Sequence, residues 1–177
     1  VDFVSFLAVS QTAREVGLAI SSASKAFNLA GLKCAFVVNG NPEKFAVPRS
    51  ALSGAVGHFG ALAAEAALTE SLDWLDHMRA ALASNLDLME RLLAEHLPRA
   101  RWRRPDARFV AWIDLRGYPG LGDDPAAAFL DEGRVALSPG PAFGPQGKGF
   151  ARVNFACSDE LLSEAFSRMG RIASERG

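Results

Sequence analysis

Two lysines, Lys25 and Lys33, have the setting in this chain that most clearly suggests chemistry. They are the only charged residues between Glu15 and Glu43, and most of their neighbours are Val, Leu, Ile, Ala or Phe. An unpaired cation in apolar surroundings is costly, so such a group usually loses its proton or finds a partner. We therefore expect an acid from elsewhere in the fold, a bound anion, or covalent chemistry at these amines.

Three serines accompany the first lysine: Ser21, Ser22 and Ser24. Hydroxyls and a cation in one turn suit the oxygens of a phosphate group, and a desolvated amine suits Schiff-base formation. Surface lysines beside a serine-rich turn account for the same residues without any ligand. Both interpretations stay open on these residues alone.

The run from Ser22 to Lys33, Ser-Ala-Ser-Lys-Ala-Phe-Asn-Leu-Ala-Gly-Leu-Lys, carries a family resemblance. It resembles the cofactor-lysine segment of pyridoxal-phosphate (PLP) enzymes of the aspartate aminotransferase superfamily, in the branch of cystathionine β-lyases, or C–S lyases, and their aminotransferase-like relatives. The resemblance implies that Lys25 binds PLP covalently and that Ser22 and Lys33 bind its phosphate. Many members have arginine at the position of Lys33, and lysine keeps the charge but lacks the bidentate fork.

A second group of cations lies between Glu132 and Asp159, where the chain has no acid but contains Arg134, Lys148 and Arg152. Arg152 stands in the predicted strand 151–156, among apolar neighbours. Such an arginine needs a planar anionic partner, and a carboxylate fits its fork in bidentate fashion. A remote Asp or Glu of the fold is an equal alternative on the sequence alone.

The residues Arg-Val-Asn-Phe-Ala at 152–156 follow a Pro/Gly segment at 138–147, which predicts a rigid, exposed loop. Together these segments resemble the small-domain region in which the same superfamily holds the arginine for the substrate α-carboxylate. The resemblance implies that Arg152 binds an amino-acid substrate. We expect Lys25 and Arg152 to face a common pocket.

Several elements must position these residues. Apolar runs at 16–20 and 34–38 predict two short buried strands on either side of the lysine turn. Small apolar residues at 48–69 predict a packed, Ala-rich helix. Three glycines in it are spaced for close approach of another backbone: Gly54, Gly57 and Gly60. His58, in the same helix, is expected to be a surface or capped residue and not a metal ligand.

The second half of the chain shows clearer periodicity. Residues 70–98 predict one long amphipathic helix, and residues 109–115 predict a strand. A helix is expected from Pro125 to Glu132, ended by Gly133. The arginine-rich stretch 99–108 is expected to be a solvated loop and not a nucleic-acid site.

The resemblance implies an α/β fold that is the C-terminal part of a PLP-dependent transferase fold. Residues 1–69 would be the C-terminal part of the large PLP-binding domain with a remnant of its sheet, residues 70–98 the interdomain helix, and residues 99–177 a small α+β C-terminal domain. We find no Gly-containing phosphate loop, pyridine-stacking aromatic or pyridine-pairing Asp, which the superfamily carries in a preceding region. The chain is therefore expected to be the C-terminal half of an enzyme, inactive by itself and with weak or no PLP binding.

The composition excludes several classes of protein. A content of 49% hydrophobic and 22% charged residues is typical of a soluble globular protein. The net charge of −1 is too small to attract nucleic acid or anionic membranes. Cys34 and Cys157 form no CxxC pattern, which argues against a disulfide framework or a zinc site. A cytoplasmic protein is expected, and the resemblance implies a homodimer.

Three functions fit the resemblance. The first is a carbon–sulfur β-lyase of the cystathionine β-lyase type, which yields pyruvate, ammonia and a thiol. The alternative is a class I/II aminotransferase that uses the same Lys25 and Arg152. A second alternative is a non-catalytic PLP-sensing domain of a transcription regulator.

Overall fold

A computed structural model describes residues 3–43 and 56–177. The chain divides into two compact units, Val1–Met78 and Arg79–Gly177. In the part of the chain that the structure describes, no helix is both long enough and apolar enough to cross a membrane.

The first unit contains short helices and a two-stranded sheet. Its elements are α1 (Phe6–Val9), α2 (Gln11–Val16), β1 (Leu18–Ser21), a 3-10 turn (Ala30–Leu32), β2 (Phe36–Asn39) and α3 (His58–Glu70). Ser10 begins α2 because its hydroxyl accepts the backbone N–H of Ala13 at 3.0 Å, a standard N-cap. Strands β1 and β2 pair antiparallel, with Leu18 opposite Asn39 and Ser21 opposite Phe36.

The two strands lie where the apolar runs predicted them, but their predicted burial is wrong for this chain. Ile20 is 73% exposed, and Leu18, Phe36 and Val38 are also exposed. A sheet of two strands cannot cover both of its own faces, so alternate side chains stay in solvent. The buried apolar core described in this unit consists of Ala13 and a cluster of small size: Ala23, Phe27, Ala64 and Ala67.

The predicted Ala-rich helix is present from His58 to Glu70, while residues 44–55, including Gly54, lie outside the described part. Gly60 is buried, and a Cβ placed on it would lie 2.3 Å from the Leu32 carbonyl oxygen. The close approach predicted for Gly60 is confirmed, whereas a Cβ on Gly57 would meet no atom within 4 Å. His58 is exposed, as expected.

The long amphipathic helix is confirmed as α4 (Leu72–His96), which includes residues of both units. Its buried side chains lie in the last three turns: Leu86, Met89, Leu92 and Leu93. Leu72, at the start of the predicted apolar stripe, is exposed.

The second unit is an antiparallel sheet packed against helices. Its elements are β3 (Arg101–Trp102), β4 (Val110–Asp114), a 3-10 turn (Pro119–Leu121), α5 (Pro125–Gly133), β5 (Ser138–Pro139), two 3-10 turns (Gly140–Phe143 and Pro145–Gly147), β6 (Phe150–Asn154) and α6 (Asp159–Glu175). The strand order is β3-β4-β6-β5. Alternation along β4 and β6 buries Ala111, Ile113, Ala151 and Val153. Large side chains from the helices and from the residue after β6 complete the buried core: Met89, Phe129, Phe155, Phe166, Met169 and Ile172.

The predicted end of α5 is near the observed one, but Gly133 has a different role from the one expected. Arg134, and not the glycine, takes the left-handed conformation at φ 55°, and its N–H bonds to the Leu130 carbonyl. Gly133 is the last helical residue and is buried, and a Cβ there would lie 2.6 Å from Ile172 Cδ1. The glycine thus allows close packing against Ile172 and does not itself make the turn.

The arginine-rich stretch 99–108, predicted to be a solvated loop, contains the short strand β3 (Arg101–Trp102), which pairs with β4; its arginines are exposed. Arg104 forms ion pairs with Asp87 and Glu90 on α4, and Arg103 pairs with Asp106 at 3.4 Å. Charges neutralised within the chain are less available to nucleic-acid phosphates.

Candidate functional site

Lys25 lies on one turn of helix whose two ends are capped by local hydrogen bonds. At the start, the Ser22 hydroxyl accepts the backbone N–H of Ser24 at 3.0 Å. At the end, the Leu29 N–H bonds to the Ser24 carbonyl at 3.0 Å while Asn28 is left-handed at φ 55°. This 6→1 bond is the outer bond of a Schellman motif, and Asn tolerates the left-handed conformation better than most residues. The sequence therefore fixes both ends of the lysine turn.

The turn is anchored through the side chains on either side of the lysine. Ala23 and Phe27 are buried against Ala64 and Ala67. The Phe27 ring stacks on Trp74 with a centroid distance of 5.9 Å. Lys25 itself is exposed. The turn thus presents the amine from a base that is held by apolar packing.

Ser22 and the residue after Lys33 are brought together by a hydrogen bond. The Ser22 hydroxyl lies 2.7 Å from the Cys34 carbonyl oxygen and 2.6 Å from the Ser24 hydroxyl oxygen. The Ser22 hydroxyl can donate to the Cys34 carbonyl while it accepts from the Ser24 hydroxyl and the Ser24 backbone N–H, so its donor and both of its lone pairs are in use. A phosphate contact from Ser22 stays a prediction and requires exchange of one of these bonds.

Lys33 ends the 3-10 turn Ala30–Leu32 and is left-handed, with φ 50° and ψ 50°. A non-glycine residue in this region carries backbone strain, which is frequent at ligand sites. Neither Lys33 nor Lys25 has a carboxylate within ion-pair distance among residues 3–43 and 56–177. The acid partner considered from the sequence is therefore not found among the described residues. Both lysines are exposed, so water can solvate their ammonium groups, and their use by an anion or a cofactor stays a prediction.

Arg152 lies in the middle of β6, with Trp112 of β4 opposite it on one side and Ser138 of β5 on the other. Its Nη2 donates to the Ser138 hydroxyl at 3.0 Å. Its Cζ lies 4.9 Å from the centroid of the Phe143 ring. The side chain is half-buried on the face of the sheet opposite the core residues Ala151 and Val153.

Arg152 differs from the other described arginines in its burial, because those arginines are exposed. The exposed arginines include six that pair with carboxylates: Arg103, Arg104, Arg116, Arg168, Arg171 and Arg176. Arg152 has no such carboxylate in those ranges, although it is half-buried. A partly desolvated guanidinium of this kind is suited to a planar anion such as a substrate carboxylate.

The sequence does not predict that aromatic residues lie beside Arg152: Trp112, Phe143 and Phe150. Trp112 contacts the Phe143 ring edge to face at 5.3 Å and stacks on Phe150 at 5.6 Å. Period-two alternation along each strand could have placed Phe150 on the face of Arg152, but the pairing of Trp112 with Arg152 needs the strand register.

The donor set of the lysine segment fits PLP, the cofactor that the resemblance implies. PLP offers an aldehyde to a primary amine and a phosphate to cations and hydroxyls. Lys25 and Lys33 supply amines without a carboxylate among the described residues, and Ser22 and Ser24 supply hydroxyls on the same turn. The chemistry of these groups thus matches the chemistry of the cofactor.

Comparisons with known proteins agree with this chemistry. The chain is 39% identical over 171 residues to the "Putative cystathionine beta-lyase" of Mycobacterium leprae, covering 89% of this chain and 42% of that protein. It is 31% identical over 169 residues to the cystathionine beta-lyase PatB of Bacillus subtilis, covering 93% of this chain and 43% of that protein. The chain thus spans less than half the length of these curated relatives.

A solved structure confirms the predicted fold class. The crystal structure of a "putative plp-dependent beta-cystathionase" from Corynebacterium diphtheriae is similar, with a TM-score of 0.88 and 35% identity over 95% of this chain and 45% of that one. The architecture is that of the PLP-dependent transferase fold. A model of the family "Aminotransferase class I and II" matches residues 2–169. The chain therefore belongs to the class I and II aminotransferase family.

Proposed function

We propose that this chain is part of a PLP-dependent carbon–sulfur β-lyase of the cystathionine β-lyase type. The observation that carries the proposal is the half-buried Arg152 guanidinium, which has no carboxylate among the described residues and so suits the carboxylate of an amino acid. The choice of a lyase over an aminotransferase is supported by the cystathionine beta-lyase names of the relatives.

The proposal gives each predicted residue one role. Lys25 binds the PLP aldehyde, Lys33 and Ser22 contact the phosphate, and Arg152 binds the substrate α-carboxylate. Bound PLP supplies an electron sink for the electron pair left at Cα when a proton is removed. Lys25 and Arg152 belong to different units of the chain, and their convergence on one pocket stays a prediction.

The chain's own residues then account for the remaining chemistry. Arg152 fixes the carboxylate and so limits the orientations that Cα can take. With PLP held by the substrate, the amine of Lys25 would be placed to take the Cα proton as a general base. Departure of the sulfur from Cβ completes the elimination, so that L-cystathionine and water yield L-homocysteine, pyruvate and ammonia.

The proposal includes a cytoplasmic homodimer, which is supported by the family resemblance. The exposed apolar side chains of the first unit, Phe3, Phe6 and Ile20 among them, offer surface that further protein could cover.

The test is a pyruvate assay on the full-length protein with PLP and L-cystathionine. Wild type is expected to release pyruvate, and Lys25→Ala is expected to lower kcat by at least about 100-fold, because general-base catalysis contributes that much or more. Arg152→Lys is expected to raise KM by about 10- to 100-fold, since it loses charge-assisted bonds to the carboxylate. Lys148→Arg and Arg91→Lys are matched controls and should leave both constants unchanged.

Other outcomes assign the protein differently. Amine transfer to a keto acid without pyruvate release supports the aminotransferase, and PLP binding without either reaction supports the sensor. Sedimentation velocity on the same preparation checks the dimer.

A further inference from the structure

Two residues of the Pro/Gly segment hold the guanidinium of Arg152 from different directions. Ser138 accepts a hydrogen bond from Nη2 at 3.0 Å, and the Phe143 ring lies 4.9 Å from Cζ. An arginine has five N–H donors, so one bond to a hydroxyl leaves enough donors for a bidentate carboxylate. The two contacts are therefore compatible with carboxylate binding.

Phe143 is held in place although it is 54% exposed. Its ring meets Trp112 edge to face at 5.3 Å, with an interplanar angle of 87°. Trp112 in turn stacks on Phe150 of the neighbouring strand at 5.6 Å. Aromatic pairs of this geometry add to the stabilisation from area burial, so the Phe143 ring has a defined place next to the guanidinium.

The backbone that carries Phe143 is also fixed. Gly140 and Gly147 approach so closely that a Cβ on Gly140 would lie 2.1 Å from the Gly147 carbonyl oxygen. Both glycines are buried. Ser138 precedes this closed loop and lies opposite Arg152 in the sheet register. Both neighbours of the guanidinium thus come from segments with little freedom.

We propose that Ser138 and Phe143 are positioning residues, which fix the Arg152 guanidinium in the orientation that receives the substrate carboxylate. The inference rests on the proposed function, because it assumes that Arg152 binds this carboxylate. Arginine loses rotamer freedom when it binds a ligand, and an arginine that is already fixed loses less. The two residues therefore act on substrate affinity through Arg152 and not on the bond-breaking step.

The experiment measures carboxylate affinity and kinetics in the full-length, PLP-loaded protein. Propionate, a carboxylate without an amine, is titrated by ligand-observed NMR, and KM and kcat are measured with L-cystathionine. Phe143→Leu is expected to weaken propionate binding and raise KM by about threefold. Ser138→Ala is expected to do so by about fivefold. For both variants kcat should change less than twofold. Both should stay folded at the assay temperature, with a small decrease in melting temperature for Phe143→Leu because it loses the ring contact with Trp112.

Conservative variants and a double-mutant cycle separate positioning from a merely structural role. Ser138→Thr and Phe143→Tyr keep the hydroxyl and the ring and should restore wild-type affinity. In an Arg152→Lys background, Phe143→Leu and Ser138→Ala should have little further effect, because the group through which they act is gone. An equal further loss in that background would overturn the inference.

The results also distinguish failure of the inference from failure of the proposed function. If Arg152→Lys weakens propionate binding but Ser138→Ala and Phe143→Leu bind like wild type, the positioning role is wrong and the function stands. If Arg152→Lys itself has no effect, Arg152 does not bind the carboxylate, and both are wrong.

Discussion

At the scale of single residues, the ionised carboxylate of Asp114, at the end of β4, contributes to the stability of the fold. Its carboxylate accepts bonds from Arg116 Nε at 2.9 Å and Nη2 at 2.7 Å, and from the Arg116 backbone N–H at 3.0 Å. The Asp114 side chain is only 15% exposed. The side-chain bonds from Arg116 lower the pKa of Asp114 below its ordinary value, against the opposing effect of burial.

A pKa that is lower in the folded state means that the ionised form of Asp114 stabilises the fold. This contribution is complete above the unfolded carboxyl pKa of roughly 4, and it is lost as the pH falls through the folded pKa. We expect Asp114→Asn to lower the free energy of unfolding by about 1 kcal/mol at pH 7, with a smaller difference at acid pH. Denaturant unfolding of both proteins at several pH values measures this.

Asp106→Asn is the control for this prediction. Asp106 pairs with Arg103 at 3.4 Å, but the two side chains are 64% and 90% exposed, and pairs of this kind contribute little. A difference between wild type and Asp114→Asn that stayed constant down to the acid limit would contradict the linkage.

Candidate site residues are predicted from the sequence where charge stands out from apolar surroundings. Lys25, Lys33 and Arg152 are such candidates, because the apolar stretches that contain them have no nearby acid. Ser138 and Phe143 could not be assigned to Arg152 in this way, since their contacts depend on the β5 to β6 register and on the closed loop between these strands. Such contacts are set by tertiary pairing and not by local sequence.

At the scale of elements, α3 approaches the backbone of the turn before Lys33 closely at Gly60. A Cβ on Gly60 would lie 2.3 Å from the Leu32 carbonyl oxygen and 3.3 Å from its carbon. Both are backbone atoms, which cannot turn aside as the end of a side chain can. The helix or the turn must therefore move if Gly60 gains a side chain.

Gly60→Ala is expected to destabilise the protein by about 1–3 kcal/mol, because overpacking against a backbone outweighs the gain of about 1 kcal/mol from better helix propensity. The control is Gly31→Ala in the 3-10 turn itself, where a Cβ would meet no atom within 4 Å. That variant should be neutral or slightly more stable. Thermal or denaturant unfolding compares the two, and a Gly60→Ala protein as stable as wild type would disprove the constraint.

The elements with strong periodicity were predicted well. The long amphipathic pattern predicts the helix that is observed as α4, and the alternating run at 109–115 predicts the strand that is observed as β4. Burial of β1 and β2 was predicted wrongly, because an apolar run shows only that a strand can be buried and not that the chain supplies the layers to cover it. The role of Gly133 was missed for a similar reason, since close packing against Ile172 is invisible in local sequence.

At the scale of the whole molecule, the two units differ in how much core their described residues form. The second unit has a continuous buried cluster around Phe129, Phe155 and Phe166, whereas the cluster beneath the Lys25 turn has four buried residues. The boundary between the units falls at Met78 and Arg79, within α4. The assignment of residues 1–69, 70–98 and 99–177 to large domain, interdomain helix and small domain stays a prediction.

The proposed PLP-dependent function requires that Lys25 is the residue that binds PLP. The direct measurement is borohydride reduction of the PLP-loaded full-length protein, which converts the lysine imine to a stable amine, followed by peptide mass mapping. We expect the phosphopyridoxyl mass on the peptide that contains Lys25 and its absence in Lys25→Ala. A label on Lys33, Lys148 or any other lysine, with none on Lys25, would contradict the central claim.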